Sequence, residues 1–388
     1  MRERIVIRGL LTAVVLASAS LPARADVESA FTVVMLPDTQ KYSESYPDIY
    51  MSQTRWIRDH VDSNNIVFVS HLGDIVENGA YGPDENEGEW QIADTAMSLL
   101  DGCVPWGIVI GNHDFDDWWQ PLEGSRKFLE HFGPNRFAGK PYWGGASPDG
   151  LSSYQYFYGG GRRFLALHLT VDVPPETMAW AQGVLDAHPN LPTMITTHIY
   201  MKANGRTLFS YMDFYDPNWV GHSGEEIFQL LVAPNPQVFF VNCGHISAER
   251  FQISRNHADQ DVFESLEDYQ NREYGGTGML RLLEFRPADG VILAKTYSPW
   301  LDEFETDADS EFTIEVNFQE RFGPVVADLD GDHDVDIEDA DAILSCLAGP
   351  GASLTGACIK TDLDFDTDTD LADAARLQCV FTGESPAP

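Results

Sequence analysis

Six short apolar segments alternate with stretches of helical periodicity between residues 31 and 242, and this alternation limits the fold more than any other feature. The apolar segments, rich in Val, Ile, Phe, Leu and Met as buried strands are, are Phe31 to Leu36, Ile66 to Ser70, Pro105 to Ile110, Arg163 to Leu169, Thr193 to Thr196 and Val238 to Asn242. The stretches with apolar residues at three- and four-residue spacing are Ser52 to Val61, Glu89 to Leu100, Glu176 to Ala187 and Gly224 to Val232. Strands that alternate with helices predict an α/β fold, in which helices cover a largely parallel sheet.

The segment from Arg250 to Phe318 contains strand-like runs and fewer helical stretches. The runs are Gly278 to Phe285, Val291 to Tyr297 and Phe312 to Phe318. We expect them to form an antiparallel continuation of the same core.

Polar residues of the metal-ligand type follow five of the predicted strands. They are Asp38 and Gln40 in Pro-Asp-Thr-Gln, Asp74 in Gly-Asp, Asn112, His113 and Asp114 in Gly-Asn-His-Asp, His198 in Thr-His and His245 in Gly-His. Functional groups of parallel sheets gather beyond the carboxyl ends of the strands, so we expect these side chains to meet. Carboxylate and amide oxygens combined with imidazole nitrogens suit divalent ions such as manganese, iron or zinc. One such motif alone would indicate only a turn or an interior histidine.

The five motifs together resemble the calcineurin-like metallophosphoesterase family, whose blocks read Asp-x-His, Gly-Asp, Gly-Asn-His-Asp/Glu, His and Gly-His-x-His. The resemblance covers about Phe31 to Phe318. It implies a four-layer αββα fold and two divalent metal ions (Mn, Fe, Zn or Mg) bridged by Asp74. The ligands implied for one ion are Asp74, Asn112, His198 and His245. Those implied for the other ion are Asp38, the shared Asp74 and the last residues of the first and fifth blocks.

These last two positions hold Gln40 and Ser247, where the family has histidine. A Gln amide oxygen still binds a hard cation, and a Pro-Asp-Thr-Gln run also occurs in subgroups that this chain resembles. The loss of both imidazoles predicts weaker binding at this ion and a preference for Mn²⁺ or Mg²⁺. Asp268-Tyr-Gln resembles the same subgroup, and we expect it to serve packing and turns.

The resemblance implies hydrolysis of phosphate mono- or diesters. Two cations about 3.5–4 Å apart deprotonate a bridging water near neutral pH and neutralise phosphoryl oxygens, so a metal-bridging hydroxide would attack phosphorus. In the family, the histidine equivalent to His113 faces the substrate, where it stabilises the transition state or protonates the leaving oxygen. An imidazole suits this role because its pKa lies near the working pH. Asp114 is expected to orient or charge-stabilise His113.

Two alternatives stay open at this point. The chain could be a non-catalytic binding or scaffold protein with a degenerate first metal site, as Gln40 and Ser247 would indicate. The aromatic residues Phe115, Trp118 and Trp119, which follow the third motif, could form a substrate wall or cap the core.

The chain from Val325 to its end is strongly acidic, with 15 acidic and 2 basic residues. Two stretches place oxygen-bearing residues at loop positions 1, 3, 5, 7, 9 and 12, the spacing with which EF-hand loops wrap calcium. The predicted calcium ligands are Asp328, Asp330, Asp332, Asp334, Asp336 and Asp339 in the first loop, and Asp362, Asp364, Asp366, Asp368, Asp370 and Asp373 in the second. Helical patterns follow at Ala340 to Leu347 and Ala374 to Phe381.

The duplicated loop and helix resemble a type I dockerin, a small all-α calcium-binding module that docks onto cohesin domains. The resemblance implies a cohesin-like or cell-surface partner. His333 and Thr367 stand at loop position 6, where glycine is usual, and the β-branched Thr367 predicts weaker calcium binding in the second loop. The hydroxyl residues that commonly precede the last ligand are replaced by Ile337-Glu338 and Leu371-Ala372.

Residues 1–25 have the pattern of a signal peptide, with a basic start, an apolar stretch from Leu10 to Leu21 and small residues at Ala23 and Ala25. This predicts a secreted protein, extracellular, periplasmic or at the cell surface. An uncleaved anchor is the alternative, although this stretch is short for a membrane span, and no later segment is apolar over the length of one. The remaining chain divides into a phosphoesterase domain (26–319), a linker (320–327) and a calcium module (328–385).

The formal net charge of −37 argues against binding to nucleic acid or to anionic lipid surfaces. Cys103 and Cys243 flank apolar runs and are expected to be buried thiols. Cys346, Cys358 and Cys379 lie close together in the acidic segment, and one disulfide among them is expected in an exported protein.

Overall fold

The computed structural model describes residues 30–81, 85–322, 329, 337–352, 354, 358, 361–363 and 368–380. The predicted signal peptide lies outside these residues. Among the helices described, none has both the length and the apolar character needed to cross a membrane.

Sixteen strands and ten α-helices are found in this part of the chain. The strands are β1 (Phe31–Leu36), β2 (Ile66–His71), β3 (Trp106–Ile108), β4 (Trp143–Ala146), β5 (Ser153–Gly159), β6 (Arg162–Leu169), β7 (Thr193–Thr197), β8 (Met201–Lys202), β9 (Gly205–Arg206), β10 (Val238–Cys243), β11 (Glu249–Arg255), β12 (Asp261–Glu267), β13 (Leu280–Arg286), β14 (Val291–Ser298), β15 (Glu303–Glu305) and β16 (Glu311–Glu315). The helices are α1 (Gln40–Ser45), α2 (Pro47–Asp59), α3 (Glu87–Met97), α4 (Arg126–Phe132), α5 (Pro134–Phe137), α6 (Pro175–Ala187), α7 (Gly224–Ile227), α8 (Phe318–Phe322), α9 (Ile337–Cys346) and α10 (Leu371–Val380).

Fourteen of the strands form two seven-stranded sheets, and β8 and β9 form a separate two-stranded sheet. The first has the order β15-β14-β13-β1-β2-β3, with β16 also paired to β14, and the second has the order β11-β12-β10-β7-β6-β5-β4. Strands β1, β2 and β3 run parallel, as do β12, β10, β7 and β6. The parallel centres leave several strand carboxyl ends side by side, which is where the polar motifs begin.

Side-chain alternation on the central strands produces the layers. On β1, Val33 and Met35 pack between the two sheets, whereas Val34 and Leu36 join the core beneath helices α2 and α3. On β6, the odd-numbered residues of Leu165 to Leu169 pack against helix α6. A strand buried on both faces needs a cover on each side. The result is helices, sheet, sheet and helices, which confirms the predicted four-layer αββα fold.

The six strands expected from apolar runs are all present. The antiparallel continuation is also confirmed, because β13 pairs antiparallel with β1, and β14 with β13 and β16. The prediction of a largely parallel sheet was wrong at the edges, where β4, β5 and β11 pair antiparallel. The β5 sequence Ser-Tyr-Gln-Tyr-Phe-Tyr-Gly alternates buried and half-buried residues, as an antiparallel strand with one less buried face does, and so lacks a continuous apolar run.

Helix α8 closes the aromatic core between the sheets. Phe318 packs against Phe239 and Phe285, and Phe322 also contacts Phe239. The guanidinium of Arg321 donates to the backbone carbonyls of Val238 and Asp261. The packed chain therefore continues to Phe322, inside the segment that was expected to be a linker.

The described part of the acidic segment has its own small core. Ile343 of α9 and Leu377 of α10 pack with Leu363. A disulfide joins Cys346 to Cys358, which identifies the pair that the sequence left open. Cys243 is buried as expected, but Cys103 is exposed, because it follows the turn after α3 instead of lying within a strand.

Candidate metal centre

The five polar motifs begin at the carboxyl ends of β1, β2, β3, β7 and β10. The side chains that they contribute to this edge of the fold are Asp38, Gln40, Asp74, Asn112, His198 and His245, which the hydrogen bonds and ring contacts below connect to one another. Asp38, Gln40, Asp74, Asn112 and His198 are buried. Neighbouring parallel strands explain this grouping, since residues that follow them leave the sheets at the same edge.

Three of these side chains converge around one imidazole nitrogen. Nε2 of His198 lies 3.1 Å from Oδ1 of Asp74 and 3.1 Å from Oδ1 of Asn112. Nδ1 of His198 donates to the carbonyl of Leu72 at 2.8 Å, because a carbonyl oxygen only accepts. Separations of about 3 Å are those of neighbouring ligands around one cation with bonds of about 2.1 Å.

His245 completes this group from the second sheet. Its ring meets that of His198 at 5.1 Å and that of Tyr211 at 4.3 Å, in both cases edge to face. Ligand atoms of Asp74, His198 and His245 all lie within 4.8 Å of one another. Both ring nitrogens of His245 are buried without a hydrogen-bond partner, so an imidazole lone pair is available for a cation.

The charges of the cluster shift the pKa values of its members in opposite directions. Burial lowers the pKa of His198, but the charges of Asp74 and Asp38 and the hydrogen bonds to Asp74 and Leu72 outweigh burial and raise it to about 10. Burial, reinforced by the neighbouring His198, lowers the pKa of His245 to about 3. Burial alone would raise the pKa of Asp74, but His198 and His113 hold it well below its usual range. In the cation-free protein, His198 is therefore a positively charged imidazolium and His245 is a neutral imidazole.

The backbone is strained at two of these residues. Asp74 has φ of 47° and His245 has φ of 70°, in the left-handed region that side-chain-bearing residues rarely adopt. Close approach also requires the glycines of the motifs. A Cβ on Gly111 would lie 2.2 Å from Oδ1 of Asp74, and one on Gly244 would lie 2.1 Å from Oδ2 of Asp38. The local sequences Gly-Asp, Gly-Asn-His-Asp and Gly-His are thus explained by how tightly the loops pack.

The other half of the cluster consists of oxygen-bearing side chains. Oδ1 of Asp38 accepts from the backbone N–H of His245 at 3.0 Å, and Oδ2 of Asp38 has no partner. Gln40 donates through Nε2 to Oδ2 of Asp74 at 3.0 Å, whereas its buried Oε1 has no partner. Burial and the nearby carboxylate of Asp268 raise the pKa of Asp38 well above its usual value. Two buried oxygens therefore lack a hydrogen bond in this half.

Asp268 and Gln270 belong to this half of the site, although the sequence indicated only packing for them. Strand β12 runs parallel to β10 and ends at Glu267, so Asp268 leaves the sheet at the same edge as the other motifs. Gln270 donates to Oδ2 of Asp268 at 2.7 Å and accepts from Gln40 at 2.5 Å. Ser247 instead contacts the backbone of this loop, donating to the carbonyl of Asp268 at 3.5 Å.

His113 stands at the edge of the cluster and is only partly buried. Its backbone N–H donates to Oδ1 of Asp74 at 3.0 Å, and its Nδ1 donates to the carbonyl of Glu77 at 2.7 Å. The ring stacks on Trp118 at 5.0 Å. Burial lowers the pKa of His113, but Asp74 and Glu77 outweigh it and raise the pKa above its ordinary value.

Asp114 makes different contacts from those expected. Its carboxylate accepts backbone N–H groups of Ile75 at 2.7 Å, Val76 at 3.0 Å and Gly111 at 2.8 Å. Asp114 therefore connects the loop that carries Asp74 to the loop that carries Asp114 itself. These backbone hydrogen bonds, and not a contact with the ring of His113, orient the Asp114 carboxylate. Its charge contributes to the raised pKa of His113. Its assignment to the catalytic residues together with His113 stays a prediction.

A family model for calcineurin-like phosphoesterases matches residues 31–294. The chain belongs to the calcineurin-like phosphoesterase family. An uncharacterised protein of Bacillus subtilis, YvnB, is 32% identical over 312 residues, which make up 77% of this chain and 22% of the relative. The chain thus spans about a fifth of the length of that relative.

Two solved structures are similar to the chain at low sequence identity. One is the anchor GAP50 in the inner membrane complex of Plasmodium, with 13% identity, a TM-score of 0.45 and coverage of 74% of this chain and 89% of that one. The other is a dimetal phosphatase from Danio rerio, with 15% identity, a TM-score of 0.44 and coverage of 74% and 98%.

Calcineurin-like phosphoesterases typically bind two metal ions, and the residues present fit such a pair. Asp74, His198 and His245 form a candidate metal site. The unpartnered buried atoms of His245, Asp38 and Gln40 are what a cation would satisfy, since buried polar groups are otherwise hydrogen-bonded. Asp74, Asn112, His198 and His245 would hold one ion, and Asp38, Gln40 and Asp74 would hold the other.

Aromatic rings lie next to the candidate metal centre, beside His113 and His245. Trp118 contacts His113, Trp119 and Tyr215, while Tyr211 contacts both His245 and Tyr215. Trp119 is exposed. Phe115, by contrast, is buried against Trp219 in the core. Phe115 therefore belongs to the core, and a substrate wall formed by Trp118 and Trp119 stays a prediction.

The acidic segment contains a second group of carboxylates. Ligand atoms of Asp368, Asp370 and Asp373 lie within 4.8 Å of one another. Asp373 accepts the backbone N–H of Leu363, and Asp339 accepts that of Leu329 in the same relative position. Asp362 is described but is not part of this group. The other predicted calcium ligands, Asp328, Asp330, Asp332, Asp334, Asp336, Asp364 and Asp366, lie outside the described residues.

Proposed function

We propose that the chain is a metal-dependent hydrolase of phosphate mono- or diesters. The observation that carries this proposal is the convergence of Asp74, His198 and His245, with two unpartnered imidazole nitrogens on His245 and with His113 beside them. A structural cluster would satisfy its buried nitrogens with hydrogen bonds. This cluster leaves them available to a cation.

A pair of divalent cations, when bound, supplies an activated water nucleophile and neutralises the phosphoryl oxygens. The protein's own contribution to proton transfer is His113. Its Nδ1 is engaged by the carbonyl of Glu77, so Nε2 is the atom that gives or takes a proton. The stack on Trp118 fixes the ring plane. The raised pKa favours the protonated ring, which is the form that donates to a leaving oxygen.

The alcohol portion of the substrate would lie against the aromatic rings at the site entrance. Trp118 lies against His113, and Tyr215 lies 5.6 Å from Trp118 between ring centroids. Such rings give a flat or apolar group a stacking surface next to the phosphate. We therefore expect aryl or ring-bearing phosphate esters to be better substrates than short alkyl esters.

The test is hydrolysis of bis-p-nitrophenyl phosphate and p-nitrophenyl phosphate with added Mn²⁺. We expect activity in the wild type and its loss in Asp74→Asn and His113→Ala. His60→Ala is a matched control, because Nδ1 of His60 also donates to a backbone carbonyl and its ring also stacks on a tryptophan, Trp56, in helix α2. It should leave the rate unchanged.

A non-catalytic binding or scaffold role is the second candidate. It is favoured by Gln40 and Ser247, which replace two imidazoles of the first metal position. Under this alternative the wild type, Asp74→Asn and His113→Ala would show the same background hydrolysis across metals and esters. Retained cation binding without hydrolysis would then identify a scaffold.

We also propose that the acidic segment binds calcium as a dockerin-like module. Support comes from the repeated contact of Asp339 and Asp373 with backbone N–H groups ten residues earlier, and from the grouping of Asp368 and Asp370 with Asp373. Its core of three buried residues is small, so a cation and the disulfide would be its main supports.

Limited proteolysis of the full chain tests the calcium proposal. Excess Ca²⁺ should protect the acidic segment, and chelation should expose it to cleavage. Asp373→Asn should weaken the protection, whereas Asp341→Asn, which changes an exposed aspartate on the same kind of helix, should not. Equal cleavage with and without Ca²⁺ would contradict the proposal.

Export and attachment complete the proposed function. The signal-peptide pattern of residues 1–25 supports secretion, and the dockerin-like segment supports attachment to a cohesin-like or cell-surface partner. The net charge of −37 supports small phosphate esters over nucleic acid as ligands. Amino-terminal sequencing of the exported protein should begin at Asp26; a start at Met1 would contradict cleavage.

A further inference from the structure

Gln40 occupies a position where a histidine would offer a nitrogen ligand, and its amide can face a cation in two ways. The oxygen and the nitrogen of an amide exchange places when the group turns over, so the hydrogen-bond network decides which one is presented. Nε2 of Gln40 donates to Asp74 and to Oε1 of Gln270. This orientation leaves Oε1 of Gln40 buried without a partner.

Gln270, which contacts Gln40, determines the orientation of the Gln40 amide. Its Nε2 donates to the backbone carbonyl of His245 at 3.1 Å and to Oδ2 of Asp268 at 2.7 Å. A backbone carbonyl accepts hydrogen bonds and never donates them. The NH₂ group of Gln270 must therefore face these two oxygens, and its own oxygen must face Gln40.

The same logic then applies to Gln40. It meets two acceptors, Oε1 of Gln270 and the carboxylate of Asp74, so its NH₂ group is used twice. Turning the amide of Gln40 over would set its oxygen against both of those oxygens. Asp268 is itself held in place, since its Oδ1 accepts the backbone N–H of Gln270 at 2.8 Å.

We propose that Asp268 and Gln270 are positioning residues that fix Gln40 as an oxygen ligand, so that the first cation subsite takes a hard divalent cation such as Mn²⁺ or Mg²⁺. Asp38 contributes a second buried oxygen without a partner. Oxygen ligands of this kind select hard cations over zinc. The inference rests on the metal centre of the proposed function, and it concerns cation binding, not turnover.

The experiment is calorimetric titration of the metal-stripped full chain with Mn²⁺, in excess Ca²⁺ so that the acidic segment does not take up manganese. Gln270→Met removes both amide donors while keeping a side chain of similar length. We expect the wild type to bind Mn²⁺ at two sites. In Gln270→Met, the affinity for Mn²⁺ should fall about 10–100-fold at one of these sites only, which is the usual effect of removing a partner that orients a metal ligand. Asp268→Asn should weaken the same site.

Gln237→Met is the matched control, because Gln237 also donates to a backbone carbonyl, that of Leu185, and it is at least as well buried as the half-buried Gln270. It should keep both sites. Gln270→Glu is a second variant in case Gln270→Met misfolds, since a glutamate cannot donate to the carbonyl of His245. A thermal melt verifies that each variant is folded.

Wild-type affinity at both sites in the two folded Gln270 variants would overturn the proposal, and so would equal weakening of both sites. A wild type that binds a single Mn²⁺ would overturn it too. Two Mn²⁺ sites with the expected loss, but no hydrolysis of any ester, would uphold this inference and contradict the proposed enzyme activity.

Discussion

The two halves of the candidate metal centre differ in the chemical type of their side chains. Asp74, Asn112, His198 and His245 form a half with two imidazoles, in which one ring is held by the carbonyl of Leu72 and the other has no hydrogen bond at all. The half around Asp38 has no imidazole, and amide groups connect its members. Nitrogen ligands suit zinc and iron, and oxygen ligands suit manganese and magnesium.

Under the proposed function, a neighbouring loop compensates locally for the two absent imidazoles. Where the family has two histidines, this chain has Gln40 and Ser247. The loop after β12 then supplies a carboxylate and an amide next to Gln40. The nitrogen half keeps the family's ligands and needs no such support, so we expect the two halves to differ in affinity and in the metal they prefer.

The largest effect is expected from Asp74→Asn, because Asp74 belongs to both halves. The variant replaces the carboxylate that contacts His198, Gln40 and the backbone of His113. We expect hydrolysis to fall to the background rate, by more than the 10–100-fold typical for losing an outer partner of a ligand. Metal content by mass spectrometry should fall at both sites. Loss of one ion only would show that Asp74 is not shared.

The next effect should separate the halves. His245→Ala removes an imidazole with two unpartnered nitrogens. Gln40→Leu removes the amide group, with its unpartnered oxygen, and keeps a side chain of similar size. We expect His245→Ala to abolish tight Zn²⁺ binding and to lower the rate by at least about 100-fold. Gln40→Leu should keep one tightly bound ion and require more Mn²⁺ for activity. Equal metal loss in both variants would contradict two distinct halves.

The amino-acid sequence predicts the position of most of the proposed metal ligands, because the motifs that contain them follow continuous apolar runs. Strands such as Val238–Cys243 are buried on both faces, and such runs are recognisable. Strand Asp261–Glu267 is buried from its second residue onward, but it carries Glu264, whose charge is paired with Arg206. An Asp-Val-Phe-Glu-Ser-Leu-Glu run does not look like a core strand. The sequence pattern therefore does not identify Asp268 as a residue that follows a parallel strand, although a strand followed by Asp is the same signal that identifies the other motifs.

Cation binding in the nitrogen half should release a proton. Burial lowers the pKa of His198, but Asp74 and Asp38 more than offset this and raise it to about 10, while burial lowers that of His245 to about 3. A cation binds imidazole only in its neutral form. Binding in the nitrogen half should therefore displace about one proton, from His198, and apparent affinity should rise about tenfold per pH unit below pH 10. Calorimetry in buffers of different ionisation enthalpy measures this number, and a value near zero would contradict the paired His198.

The smallest effect is expected outside both halves, at Trp118. Its ring stacks on His113 and contacts the rings of Trp119 and Tyr215. Trp118→Leu should raise KM for p-nitrophenyl esters about two- to tenfold, the equivalent of one aromatic pair at about 0.5–1.5 kcal/mol, and leave metal content unchanged. Phe214→Leu, which changes an exposed ring that packs on Tyr215, serves as the control. If Trp118→Leu instead releases a metal ion, the aromatic rings around Trp118 support the metal centre. Metal binding in the two halves would then depend on these rings.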